Sequence, residues 1–294
     1  METINLFWNP DGFELDTLGR KTYNGPPADG DTPYVRMAIR MLSIDTPETS
    51  YPTIGKPSNS DDKLKELGEW IKAGKVPIDP ELGAFLTPKL TTGKAGTLQE
   101  EQGEKAKEEF KKQLDTRLAR PRGRRRGLFL RTADQPFDSF GRLLAYAAPS
   151  YSKKELGEIG FEERYTFNLN MLESGLAAPF IIYPSLPKHS DLILAHDKSR
   201  EALEKKKGTW SNKKSLTGYE WRMCIKLHQQ MKKLNRGDIS YINPTSWISR
   251  YCFDMASLKI YYPQEYYKVQ PYNRIFVWPK DVRKAVGELS LTSG

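Results

Sequence analysis

The chain has 294 residues, 38% hydrophobic and 28% charged, enough to bury a full core in one domain with a smaller one beside it. Its net charge of +9 favours an anionic partner such as nucleic acid. No apolar run nears the ~20 residues of a membrane-spanning helix, and two cysteines, Cys224 and Cys252, are too few for a disulfide framework or a cysteine-based zinc site.

The first residues carry Glu2 where a signal peptide needs basic ones, so an intracellular, cytoplasmic protein without a membrane partner is expected. Ile4 to Trp8 reads as a strand, Asn9-Pro-Asp-Gly12 as a turn, and Phe13 to Tyr23 as extended chain. Residues 24–33 are Gly- and Pro-rich loop. Tyr34 to Ile44 then forms an apolar-rich run with the character of one strand. Pro47 cannot donate to a ladder, so the strand must stop before it. That stop places Asp45, the Thr46 carbonyl and Glu48 on one loop, with Arg40 five residues before Asp45. Hard oxygen ligands, a spare carboxylate and a fixed cation suit phosphodiester chemistry.

Residues 50–98 read as an inserted surface loop containing one short helix, with Leu64, Leu67 and Ile71 on one face. Ala106, Phe110, Leu114 and Leu118 give a longer helix over 98–118 a buried stripe. Seven arginines follow between 117 and 131 with no acid among them. Crowded like charges call for an anion, so Arg122, Arg124, Arg125 and Arg126 are assigned to a nucleic-acid backbone. Strands are expected at 128–131 and 143–147, a helix at 167–176, and another at 191–207 capped by Ser190. Beyond Ser211, Tyr219, Met223, Leu227, Met231 and Leu234 define an amphipathic helix. Aromatic-rich strands at 247–253, 258–262 and 275–278 and a helix over 279–289 close the chain. Aromatics at strand spacing are read as core.

Three strings carry a resemblance. They are Arg40-Met-Leu-Ser-Ile-Asp-Thr-Pro-Glu48, Asp138-Ser-Phe-Gly-Arg142-Leu-Leu-Ala-Tyr146 and Lys205-Lys-Lys-Gly-Thr-Trp-Ser211. In this order they resemble the staphylococcal nuclease (thermonuclease) family over about residues 4–212. The resemblance implies an α+β fold: a five-stranded OB-type β-barrel with three helices, spanning residues 1–212 with the insertion at 50–98. A small C-terminal α/β extension, 213–294, falls outside it and is a candidate site for a protein or nucleic-acid partner.

The resemblance further implies metal-dependent cleavage of DNA, with RNA as a second substrate and little sequence preference. Arg40, Glu48 and Arg142 are the implied catalytic residues, and Asp45 and Thr46 the implied ligands of Ca2+, with Mg2+ or Mn2+ as substitutes. A second metal carboxylate is open between Asp11, which follows a strand, and Asp31, which lies in a literal Asp-Gly-Asp-Thr string. Ser139-Phe140 replaces the family's frequent Lys-Tyr, which puts recognition of a terminal phosphate in doubt. The rival reading is a catalytically inactive OB-fold module that binds nucleic acid or protein.

Overall fold

Ser43 is where the central apolar run breaks. A computed structural model describes residues 21–120, 122–237 and 245–294, and in it residues 34–44 are not one strand. They divide among β2 (Val35–Arg36), β3 (Ile39–Met41) and the start of β4 (Ser43–Asp45), after a first strand β1 (Thr22–Tyr23). Ser43 adopts a left-handed backbone with φ of 62°, a conformation that costs a non-glycine residue energy and turns the chain sharply. Its hydroxyl shares a hydrogen bond of 2.5 Å with the Tyr146 hydroxyl, which secures the turn. Side-chain alternation cannot reveal such a turn, because the residues on both sides of it are equally apolar.

The chain divides into two compact units. The smaller comprises residues 1–40 and 132–145, of which residues 1–20 fall outside the described region, together with the expected strand at Ile4–Trp8 and Asp11. In it β1 and β2 form an antiparallel pair, Thr22 opposite Arg36 and Tyr23 opposite Val35. The tight Asp138–Arg142 turn also belongs here, with Gly141 at φ 67°, which a side chain would strain.

The larger unit comprises residues 41–131 and 146–294. It holds α1 (Asp61–Lys72), α2 (Pro80–Leu90), α3 (Ala95–Arg117), α4 (Lys153–Glu158), α5 (Phe167–Glu173), β7 (Ala178–Tyr183) and α6 (His189–Glu204). After these come α7 (Gly218–Asn235), β8 (Tyr251–Asp254), β9 (Lys259–Tyr261), β10 (Arg274–Val277), α8 (Val282–Leu289) and β11 (Thr292–Ser293). The strands β5 (Leu128–Phe137) and β6 (Leu143–Pro149), whose residues 132–137 and 143–145 belong to the smaller unit, form a three-stranded sheet in the order β3–β6–β5. The other main sheet has six strands in the order β11–β9–β8–β10–β7–β4. Content is thus mixed α and β, and no sheet closes into a barrel among the described residues.

The helices expected near 63–72, 98–118, 167–176, 191–207, 219–234 and 279–289 all occur, with shifted ends. Helix α6 begins at His189 after Lys188, so Ser190 lies inside it rather than capping it. The insertion is more ordered than a surface loop. It contains a second helix, α2, that Pro80, Gly83 and Pro88 conceal in the sequence. Pro80 occupies the first turn, where its missing N–H costs nothing, and the Asp79 carboxylate accepts from the amides of Glu81 (2.9 Å) and Leu82 (3.2 Å). Leu64 and Leu67 of α1 and Leu82, Leu86 and Leu90 of α2 are fully buried.

These leucines share one core with Trp221, Cys224, Ile225 and Leu227 of α7 and with Phe276 of β10. Trp221 is fully buried, and its indole donates to the Ser60 hydroxyl at 3.2 Å. The insertion and the C-terminal region therefore stabilise each other. Burying each of these leucines contributes on the order of 2 kcal/mol. The aromatics after Ser211 are core residues only in part: Phe253, Tyr266 and Phe276 are buried, whereas Tyr262 and Trp278 are exposed.

Candidate functional site

Asp45 is the last residue of β4, which pairs antiparallel with β7 in the register Asp45 opposite Ala178. The strand does end before Pro47, and the loop from Thr46 to Glu48 is held from two sides. On one side Gly103 of α3 lies so close that a Cβ there would sit 2.6 Å from the Glu48 carbonyl oxygen. The neighbouring Gln99 carboxamide accepts from the Glu48 amide at 2.7 Å and donates to the Leu216 carbonyl at 3.1 Å. On the other side Gly218, in the first turn of α7, would bring a Cβ within 2.5 Å of the Thr46 carbonyl oxygen and 2.7 Å of Asp45 Oδ2. Only glycine allows these two helices to approach the loop so closely.

The residue that sequence reasoning missed is Arg222, one turn into α7. Its Nη2 donates to Asp45 Oδ1 at 2.9 Å and to Oδ2 at 3.0 Å, and its Nη1 donates to Glu48 Oε1. Asp45 is 1% exposed, so this is a buried, bidentate, charge-assisted contact. Burial works against the Arg222 charge, but the Asp45 and Glu48 carboxylates outweigh it and hold the guanidinium above its ordinary pKa. The amphipathic pattern of α7 was legible, yet no spacing links position 222 to positions 45 and 48.

The two carboxylates do converge on a single cation, but that cation is an arginine. A divalent ion needs free hard oxygens. Here both Asp45 oxygens and one Glu48 oxygen already accept from a guanidinium, and the positive N-terminal end of α7 lies against Asp45. As arranged, these residues do not fit a divalent ion. No group of three or more His, Cys, Asp or Glu side chains is placed to hold a metal among the described residues.

Arg40 and Arg142 belong to the smaller unit and are described there. Arg40 is half-buried in β3. Arg142 Nε donates to Asp138 Oδ2 at 2.7 Å, and its guanidinium lies 5.3 Å from the Phe140 ring centroid. Burial opposes ionisation of Asp138, but hydrogen bonds from the Arg142 and Phe140 amides and the Arg142 side chain lower its pKa. The sequence string Asp-x-x-Gly-Arg is thus a turn in which Asp138 aims the arginine. Asp31 is exposed, its amide 3.4 Å from Asp29 Oδ1, and its carboxylate accepts from the Thr32 hydroxyl at 3.0 Å. Asp11, its alternative, lies outside the described residues.

The arginine run divides. Arg125 pairs with Asp115 at 2.8 Å and Arg126 with Glu155 at 2.8 Å, so counter-charges absent from the local sequence arrive from α3 and α4. Arg117 is bound into the structure by the Tyr165 and Glu163 carbonyls. Arg122 and Arg124 are exposed and make no ion pair with the described residues. Replacing these two with alanine should flatten the salt dependence of DNA binding by about one unit per lost phosphate contact. Arg126→Ala should instead lower the thermal midpoint, and an unchanged salt slope for the Arg122/Arg124 pair would mean that they are merely solvated.

None of the three histidines or two cysteines belongs to a metal-holding group among the described residues. His228 is buried, stacked on Trp70 at 5.3 Å and bonded to Glu66 at 2.8 Å. Both cysteines are free and buried, and burial pushes the Cys252 thiol up to about 12. No helix among the described residues is long and apolar enough to cross a membrane.

No curated protein matches the chain. The family model described as staphylococcal nuclease homologue matches residues 38–212, which takes in β3, the Asp45–Glu48 loop, the Arg142 turn and the Trp210 segment. That span covers more than half of the sequence, and the chain belongs to the staphylococcal nuclease homologue family.

Proposed function

We propose that the protein is a nuclease that hydrolyses phosphodiester bonds of DNA and RNA with low sequence specificity, and that Arg222 holds it in a resting arrangement. The observation that carries this reading is the convergence of Asp45 and Glu48 on one cation position at the end of β4. In this reading residues 1–212 carry the chemistry on a five-stranded OB-type barrel. Residues 213–294 are an extension that supplies Arg222.

Arg40 and Arg142 would clamp the scissile phosphate, because a planar guanidinium bonds two oxygens at once and keeps its proton. Glu48, once freed, would orient the attacking water. Calcium, bound by Asp45, the Thr46 carbonyl and either Asp11 or Asp31, remains the cofactor this reading calls for, but only after Arg222 leaves. Family membership and net charge support nucleic acid as the partner.

The occupied carboxylates favour one second reading, a nucleic-acid-binding module that has exchanged its metal for an arginine. One assay separates the two. Native protein and Arg222→Ala are incubated with plasmid and with RNA in calcium, magnesium or excess chelator. The nuclease reading expects cleavage by the variant in calcium, well above the native rate and abolished by chelator. Binding without cleavage by either protein under every metal would establish the module instead.

A further inference from the structure

A cavity of about 630 Å³ lies away from Asp45, between α1, the chain near Thr53 and the outer face of α7. Lys63, Lys226, Lys232, Lys233 and Arg236 line it, and no acid does among the described residues. Glu66, beside it, bonds Lys232 at 3.1 Å and His228 at 2.8 Å. Lys63, Lys226, Lys233 and Arg236 form no ion pair with any described residue. Lys226 is pulled below its ordinary pKa, first by desolvation and then by the charges of Arg250 and Arg222. Burial also lowers the pKa of His228, which is neutral at pH 7 and adds no repulsion. Four cations without an ion-pair partner among the described residues repel one another around one hollow, and an anion would relieve them.

Lys226 and Lys233 lie seven residues apart on α7, about 10 Å along its axis. That is the length of roughly three phosphate steps of a stacked strand. A small free anion needs one such contact, not a row. We infer that this groove is a second nucleic-acid site, which holds the phosphates of a single strand along α7 by charge rather than by base contacts. It joins the inserted helix α1 to the C-terminal helix α7, lies outside the catalytic residues proposed above, and gives both additions to the family fold a common purpose. The inference rests on nucleic acid being the protein's ligand, but not on its being cleaved.

The test is fluorescence anisotropy with a labelled single-stranded 20-mer, in excess chelator so that no cleavage occurs, over a range of salt concentrations. The variant replaces Lys63, Lys226 and Lys233 with Gln, and its thermal midpoint is measured alongside. The expected result is a salt slope smaller by about two units, from ~0.7 per lost single-strand contact, and binding at least tenfold weaker in low salt. Should the variant's midpoint fall, Lys233→Gln alone, at an exposed position near the end of α7, should still reduce the slope by about 0.7.

An unchanged slope in both variants overturns the inference. So does native protein that binds tripolyphosphate at the groove but not the 20-mer, since that would make it a small-anion pocket. Failure of the nuclease reading gives a different pattern, in which cleavage is absent but the slopes still change.

Discussion

Replacing Arg222 with alanine should lower the thermal midpoint by roughly 5–15 °C, and millimolar calcium should restore part of that loss in the variant alone. Removing one partner from a buried ion pair costs about 3–5 kcal/mol, because the other charge is left without compensation. Here two carboxylates lose a shared partner, and Asp45 has almost no access to water. A divalent ion is the natural replacement, and at a hundredfold excess over its dissociation constant it would return about 2.7 kcal/mol. Differential scanning calorimetry with calcium and with chelator reads both effects without any enzyme assay. Arg222→Lys keeps a charge but not the fork, so it should fall between the two. A native protein stabilised by calcium as strongly as the variant would show that Arg222 does not compete with a metal.

The second large effect is expected at Glu220, also on α7. This carboxylate is 2% exposed, pairs with Lys89 of α2 at 3.0 Å, and accepts from the Tyr266 hydroxyl at 3.1 Å and the Thr217 amide at 3.1 Å. Burial opposes its ionisation, but the charges of Lys89 and Arg274 and the Thr217 amide lower its pKa below the ordinary 4.5. Its contribution to stability is therefore present above about pH 4.5 and is lost as pH falls through the lowered folded-state value. Glu220→Gln should cost about 3–5 kcal/mol at pH 7 by leaving Lys89, whose side chain is only 14% exposed, without its counter-charge. The variant should also lose less stability than the native protein between pH 5 and pH 3. Urea midpoints at several pH values would show this, and parallel curves would refute it.

What could be read from the sequence follows the range of each interaction. Local periodicity located α1, α3 and α7, because Leu64 and Leu67, or Ala106 and Phe110, repeat on a helical face. It could not show α2, where two prolines and a glycine imitate a loop, or the bend at Ser43, which tertiary contacts hold. The motif strings singled out Asp45, Glu48 and Arg142 as candidates because a family uses those residue types at fixed spacing. Their partners were hidden to different degrees. Asp138 lies four residues from Arg142 and within its motif. Asp115 and Glu155, which neutralise Arg125 and Arg126, lie ten and twenty-nine residues away. Arg222 lies 177 residues from Asp45, where spacing carries no information.

The parallel pairing of β7 with β10 has a consequence for anyone who trims this protein. Ile181 lies opposite Ile275, and Tyr183 opposite Val277, so β7 is an interior strand only because chain beyond residue 270 covers it. A fragment ending with the family span at 212 would turn β7 into a bare edge. Phe180 and Ile181 would be uncovered beside a row of unsatisfied amide and carbonyl groups. Such an edge invites strand addition from neighbouring copies and hence aggregation. The recognisable part of this molecule is smaller than the part that can be handled in solution.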